Sequence, residues 1–174
     1  MPVVVMGVAG CGKSAVAERL AARLALGWLD GDDLHLPASV ARMRAGIALE
    51  DHDRWPWLDR VAAQLADAVR HPNGLVVACS ALKRAYRDRL RLAVPGLRFL
   101  FLEGDAETIL ARMQGRDGHF MPASLLASQL RTLEKPGAGE VDVLQMSIDD
   151  PVSVIVEKSL RAWGLEARHP EGRG

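Results

Sequence analysis

Gly7-Val8-Ala9-Gly10-Cys11-Gly12-Lys13-Ser14 is the stretch on which the reading of this chain turns. A glycine, four free positions and then Gly-Lys-Ser arises by chance in under roughly 1% of chains of this size. The chemistry dictates the residue types. Glycines let backbone N–H groups turn inward around a phosphate, and a helix starting near Lys13 adds the positive end of its dipole. Gly7, Val8, Ala9, Gly10, Cys11, Gly12 and Lys13 then cradle a nucleoside triphosphate, with Lys13 on the β- and γ-phosphates and the Ser14 hydroxyl on Mg²⁺.

Working outward, Val3 to Met6 is a short apolar run of the kind buried on both faces of a sheet. After the loop, Val16, Ala17, Leu20, Ala21 and Leu24 recur at helical spacing, and Gly27 ends that helix. Strand-like runs recur at Trp28–Leu29, Leu75–Ala78, Arg98–Leu102 and Val141–Ile148. Helical patterns fall near Ala38–Ala45, Trp57–Val69, Arg84–Leu92, Ala106–Met113, Leu125–Leu133 and Val152–Trp163. This alternation predicts an α/β three-layer sandwich with a parallel sheet, in which ligands sit beyond the carboxyl ends of the strands.

A chain of 174 residues with 49% hydrophobic content suits one domain, expected over residues 1–165, with a loose tail at 166–174. The net charge is zero, so no global field draws in nucleic acid or an acidic membrane. Cys11 and Cys79 make no disulfide framework, and no apolar run is long enough to span a bilayer. Together with the lack of an export signal, this predicts a cytoplasmic protein.

The other strand ends narrow the chemistry. Leu75-Val76-Val77-Ala78 runs into Cys79-Ser80 rather than the Asp with which many ATPases hold Mg²⁺, and no Asn-Lys-x-Asp segment reads guanine. Instead Asp30-Gly31-Asp32 follows the second strand. Alternation aims both carboxylates the same way, one to hold Mg²⁺ through water and the other to take the proton of an acceptor hydroxyl. In isolation such a triplet is an ordinary acidic turn; beside a phosphate loop it reads as part of a small-molecule kinase.

Basic residues supply the rest of the candidate site. Arg54, in Glu50-Asp51-His52-Asp53-Arg54-Trp55-Pro56-Trp57, is a planar partner for a substrate carboxylate or simply part of a helix start that Asp53 caps. Lys83 and Arg87 lie i to i+4, able to face an acidic ligand together or to form a solvated basic face. Arg112 and Arg116 flank Gly115, and residues 115–122 read as a lid closing over the phosphates; the plainer alternative is a solvated helix end. His119 shows no metal-ligand spacing with other His or Cys residues.

Together GVAGCGKS, LDGDDLH, MRAGIALEDHDRWPWL, CSALKRAYRDRLR, GHFMPASLLASQ and TLEKPG resemble the gluconate kinase (gluconokinase) family, relatives of shikimate kinase, over nearly the whole chain. The resemblance implies a fold like that of nucleoside monophosphate kinases, ATP with Mg²⁺, transfer to the 6-hydroxyl of D-gluconate, and a homodimer. It also implies site roles: Asp30 and Ser14 on the metal side, Asp32 at the acceptor hydroxyl, Arg54 on the carboxylate, His35, Lys83, Arg87 and His119 as substrate contacts, and Arg112 and Arg116 on the nucleotide. Ala9 and Cys11 depart from serines common in the family's loop, and Cys11 is expected to make the loop sensitive to oxidation or alkylation. The rival readings are a kinase for another acceptor, such as shikimate or a nucleoside monophosphate, and a nucleotide sensor without turnover.

Overall fold

The computed structural model describes residues 1–70, 74–114 and 123–165. Its elements are β1 (Pro2–Met6), α1 (Lys13–Leu24), β2 (Gly27–Asp30), a 3₁₀ turn (Gly31–Leu34), α2 (Pro37–Arg44), α3 (Asp51–Arg70), β3 (Leu75–Ala78), α4 (Arg84–Ala93), β4 (Arg98–Glu103), α5 (Ala106–Gln114), α6 (Ala123–Thr132), β5 (Val143–Ser147) and α7 (Val152–Ala162). The strands form one sheet in the order β2-β3-β1-β4-β5, every pair parallel.

β1 lies at the centre, and its alternating side chains feed two cores. Val3 and Val5 pack with Val16 and Leu20 of α1 and Ile155 and Leu160 of α7. Val4 and Met6 face the other way, against Trp57, Leu58 and Val61 of α3 and Tyr86 and Leu90 of α4. Helices therefore cover both faces of the sheet, as the apolar run in β1 requires. The carboxyl ends of β1, β2 and β3 lie side by side, since Val5 pairs with Ala78 and Ala78 with Asp30. That adjacency brings the phosphate loop, Asp30 and Ser80 to one edge.

Two boundaries differ from the sequence reading. Helix α1 ends at Leu24 with Ala25 as its left-handed C-cap at φ 55, and Gly27 begins β2 instead of ending that helix. Helix α3 begins at Asp51, not near Trp57, and carries Pro56 within it. Proline there removes one bond, to the carbonyl of exposed His52. The start is secured by Asp53, whose carboxylate accepts the Glu50 N–H at 2.9 Å while its own N–H donates to the Glu50 carbonyl at 3.1 Å. This is one half of a capping box, reinforced by Arg42 donating to both Asp53 oxygens at 3.0 and 3.1 Å.

Among the described residues no helix is long and apolar enough to cross a membrane.

Candidate active site

The chain leaves β1 at Gly7 with φ 143, and a Cβ there would lie 2.8 Å from the Leu102 carbonyl oxygen, so the turn needs glycine. The N–H groups of Gly10, Gly12 and Ser14 make no hydrogen bond to a described residue, that of Lys13 points to the Cys11 sulfur, and that of Ala9 donates to Gln129 Oε1 at 2.7 Å. Helix α1 starts at Lys13 with no side-chain cap, which leaves its first-turn donors for an anion. Lys13 Nζ is folded back onto the Val8 carbonyl at 3.0 Å. Cys11 is 2% exposed, and burial pushes its thiol up. The expectation that it sensitises the loop to oxidation is therefore corrected: a buried, protonated thiol is a poor nucleophile.

Asp30 ends β2 beside the loop. Its Oδ2 accepts from Ser14 Oγ at 2.6 Å and its Oδ1 from the Asp32 N–H at 3.1 Å. One hydroxyl and one carboxylate at the mouth of a phosphate loop form the sparse, hard-oxygen set that suits Mg²⁺, which takes much of its coordination from water and phosphate. No group of three or more His, Cys, Asp or Glu gathers among the described residues. Gly31 is required by close packing rather than by spacing of the carboxylates, because a Cβ would meet the Ala78 carbonyl oxygen at 2.6 Å. Its own carbonyl accepts from Trp57 Nε1 at 2.6 Å, which fixes the turn to α3.

Asp32 faces a cavity lined also by Lys13, His35, Arg54, Ser128 and Gln129. More than half of its side chain is open, yet the cleft walls strip water from it and hold its carboxyl above the usual range. The charges of Asp30 and Asp33 push the same way, and Lys13 and Arg54 oppose them. His35 stacks on Trp57 with ring centroids 4.3 Å apart, and its buried Nδ1 has no partner among the described residues. Burial, aided by Arg54, lowers its pKa to about 4, so the imidazole is neutral.

Arg54 is 8% exposed, and its Nε donates to the Leu49 carbonyl at 3.3 Å. Its two Nη groups make no hydrogen bond to a described residue, and no carboxylate pairs with it there. The guanidinium lies 5.9 Å from the Tyr86 ring centroid, and its Nη groups open to the cavity, where an anion would meet a forked donor. The site thus holds a forked cation turned to the cavity that Asp32 and Lys13 share.

The other basic residues divide. Arg87 is fully buried, donating through Nε and Nη2 to the two Glu140 oxygens at 2.7 Å each and through Nη1 to the carbonyls of Ala81 and Leu82 at 3.1 Å. Its reading as a substrate contact is corrected: it clamps the turn in which Ala81 takes φ 40. Lys83 is the extended residue before α4, so the i to i+4 face with Arg87 does not form. Lys83 instead donates to both Asp51 oxygens, at 2.7 and 2.9 Å, outside the cavity lining. Arg112 remains exposed, with Nη2 on the Ile148 carbonyl at 2.6 Å. Arg116, His119 and the segment 115–122 lie outside the described residues.

Sequence reasoning missed three supporting residues. Gln129 reaches the loop from α6; Glu134 accepts the Arg84 N–H at 2.7 Å and so caps α4; Glu140 neutralises Arg87. Glu134 stands in the TLEKPG segment, where a lone acid just after a helical pattern was the available signal. Nothing local marks the other two, whose partners lie 120 and 53 residues away.

A parallel sheet of this order, with a phosphate loop after its central strand and paired carboxylates after its edge strand, defines a P-loop kinase. A family model described as an AAA domain matches residues 3–136. The thermosensitive gluconokinase of Escherichia coli K12 is 44% identical over 160 residues, covering 91% of this chain and 85% of that protein. The crystal structure of a gluconokinase from Sinorhizobium meliloti 1021 superposes with a TM-score of 0.85 at 45% identity, covering 94% of this chain and 91% of that one. The chain belongs to the gluconokinase family. Shikimate kinase from Aquifex aeolicus shares the fold alone, at 17% identity and a TM-score of 0.57 over 96% of this chain and all of that one.

Proposed function

We propose that this protein transfers the γ-phosphoryl group of ATP, bound with Mg²⁺, to the 6-hydroxyl of D-gluconate, giving 6-phosphogluconate and ADP. The observation that carries the reading is Arg54, a buried guanidinium with both Nη groups unpaired among the described residues, lining one cavity with Lys13 and Asp32. A sugar acid supplies what that cavity requires, a carboxylate for Arg54 and a hydroxyl for Asp32. Family membership supports gluconate over shikimate, since the gluconokinase relatives match at 44–45% identity and shikimate kinase at 17%.

The phosphate-loop N–H groups and Lys13 hold the triphosphate. Lys13 must leave the Val8 carbonyl to follow charge onto the transferring group, where fixed donors lower the barrier most. Mg²⁺, when bound, is held by Ser14 and Asp30 and neutralises phosphate charge. Asp32 accepts the hydroxyl hydrogen bond and orients the oxygen in line; the transition state is loose, so little early proton removal is needed. Neutral His35, with Nε2 3.8 Å from Asp32 Oδ1, lines the cavity as a substrate contact. On sequence grounds Arg112 and Arg116 are assigned to the nucleotide, and Lys83 and His119 to outer substrate contacts.

We further assign residues 1–165 to one catalytic unit acting in the cytoplasm, without nucleic-acid or membrane partners, and as a homodimer. The function is tested by initial rates of ADP release with gluconate, shikimate, a nucleoside monophosphate or no acceptor. Gluconate-dependent release is expected; equal release without acceptor, or preference for shikimate, would overturn the assignment.

A further inference from the structure

Helix α6 is tied to the phosphate loop by a long-range bond, Ala9 N–H to Gln129 Oε1 at 2.7 Å across 120 residues of chain. Ala9 is part of the loop in which the Gly10, Gly12 and Ser14 N–H groups make no bond to a described residue, so the Gln129 carboxamide oxygen sits where an anion's oxygen can bind. From the same helix, Leu125 and Ser128 also line the cavity of Asp32 and Arg54. With Gln129 seated, that cavity has a volume of about 40 Å³. This is interior room for on the order of three waters, and the cavity opens to solvent beyond it. The preceding helix, α5, touches the next residue of the loop: a Cβ on Gly10 would lie 2.4 Å from Met113 Cγ.

We propose that Gln129 is a positioning residue that couples the two substrate sites, holding the acceptor-side wall on the Ala9 N–H until a nucleotide phosphate takes that donor. This rests on the kinase reading of the cleft. A phosphate oxygen is charged, and charge-assisted bonds are roughly twice as strong as neutral ones, so nucleotide displaces the amide and not the reverse. Once displaced, Gln129 no longer holds α6 against the loop, and the wall formed by Leu125 and Ser128 can move to admit the acid. Bound nucleotide therefore raises affinity for the acceptor, and by linkage the acceptor raises affinity for nucleotide.

The test is calorimetric titration of ADP into wild-type protein and two near-isosteric variants, with and without gluconate. Gln129→Met removes the competitor for the Ala9 N–H, so ADP alone should bind about 2- to 10-fold more tightly, the equivalent of one ordinary hydrogen bond. Gln129→Glu keeps the acceptor but adds charge facing the phosphate, so ADP should bind at least about 10-fold more weakly. In Gln129→Met the effect of ADP on gluconate affinity should also shrink toward none. A merely structural role would weaken ADP in both variants, and that result, or coupling left intact in Gln129→Met, overturns the proposal. ADP titrations without sugar acid read the bond at Ala9 whatever the true acceptor is. Opposite shifts in a protein that phosphorylates no sugar acid would therefore refute the function and leave this inference standing.

Discussion

His35 should make the protein lose stability as pH falls from neutrality, and the size of that loss follows from its surroundings. The ring is buried against Trp57, near the Arg54 guanidinium, and its pKa is about 4 instead of 6.5. Between those values the unfolded chain takes up a proton that the folded protein refuses. Because the unfolded state binds more protons there, stability rises with pH across the window and is lost on acidification. The cost is absent above about pH 6.5, is complete below about pH 4, and amounts to about 2 kcal/mol between pH 7.5 and 5.0 at 1.36 kcal/mol per pH unit. His35→Asn removes the titrating group. Urea unfolding of both proteins at the two pH values gives the double difference, in which the loss of stacking on Trp57 and the titration of other groups cancel. Wild type should lose about 2 kcal/mol more than the variant. Equal losses would refute a neutral, buried His35.

Asp32→Asn should lower turnover about 10² to 10⁴-fold with ATP binding largely kept, measured by steady-state rates and nucleotide titration. The raised Asp32 carboxyl places the acid limb of kcat/KM above the ordinary aspartate range, because the anionic form is the active one. Asp30→Asn removes a negative neighbour, so that limb should move to lower pH while the Mg²⁺ needed for half-maximal rate rises. Arg54→Ala should raise the KM for gluconate about 10- to 100-fold with ATP affinity near wild type, the loss expected for charged hydrogen bonds to one ligand. Glu140→Gln should leave both KM values unchanged but cost about 3 to 5 kcal/mol in chemical denaturation, since it strands the buried Arg87 charge.

The parts legible in the sequence are those whose cause is local. β1 could be read because Val3 to Met6 must be apolar on both faces, and the loop because phosphate geometry demands Gly7, Gly12, Lys13 and Ser14 at set spacing. The start of α3 could not, because Pro56 looks like a boundary when its neighbours are hidden; the Asp53 side chain on the Glu50 N–H, held by Arg42, offsets the one bond it removes. Arg87 was misread for a related reason. Periodicity puts it on a basic helix face, whereas its environment is decided by Glu140, beyond the reach of any local pattern. Gln129 shows the same limit within the cleft itself, since a neutral residue on a helix face carries no signal until the fold brings it to Ala9.

The central claim is that this cleft joins the γ-phosphoryl group to the terminal hydroxyl of a sugar acid. Phosphorus NMR of a reaction containing ATP, Mg²⁺ and gluconate reads that bond directly. A new phosphomonoester coupled to the two protons of a terminal CH₂ group, growing in step with ADP and absent with Lys13→Ala, is the expected result. Inorganic phosphate in place of an ester, or an ester coupled to the single proton of a secondary carbon, would contradict the account.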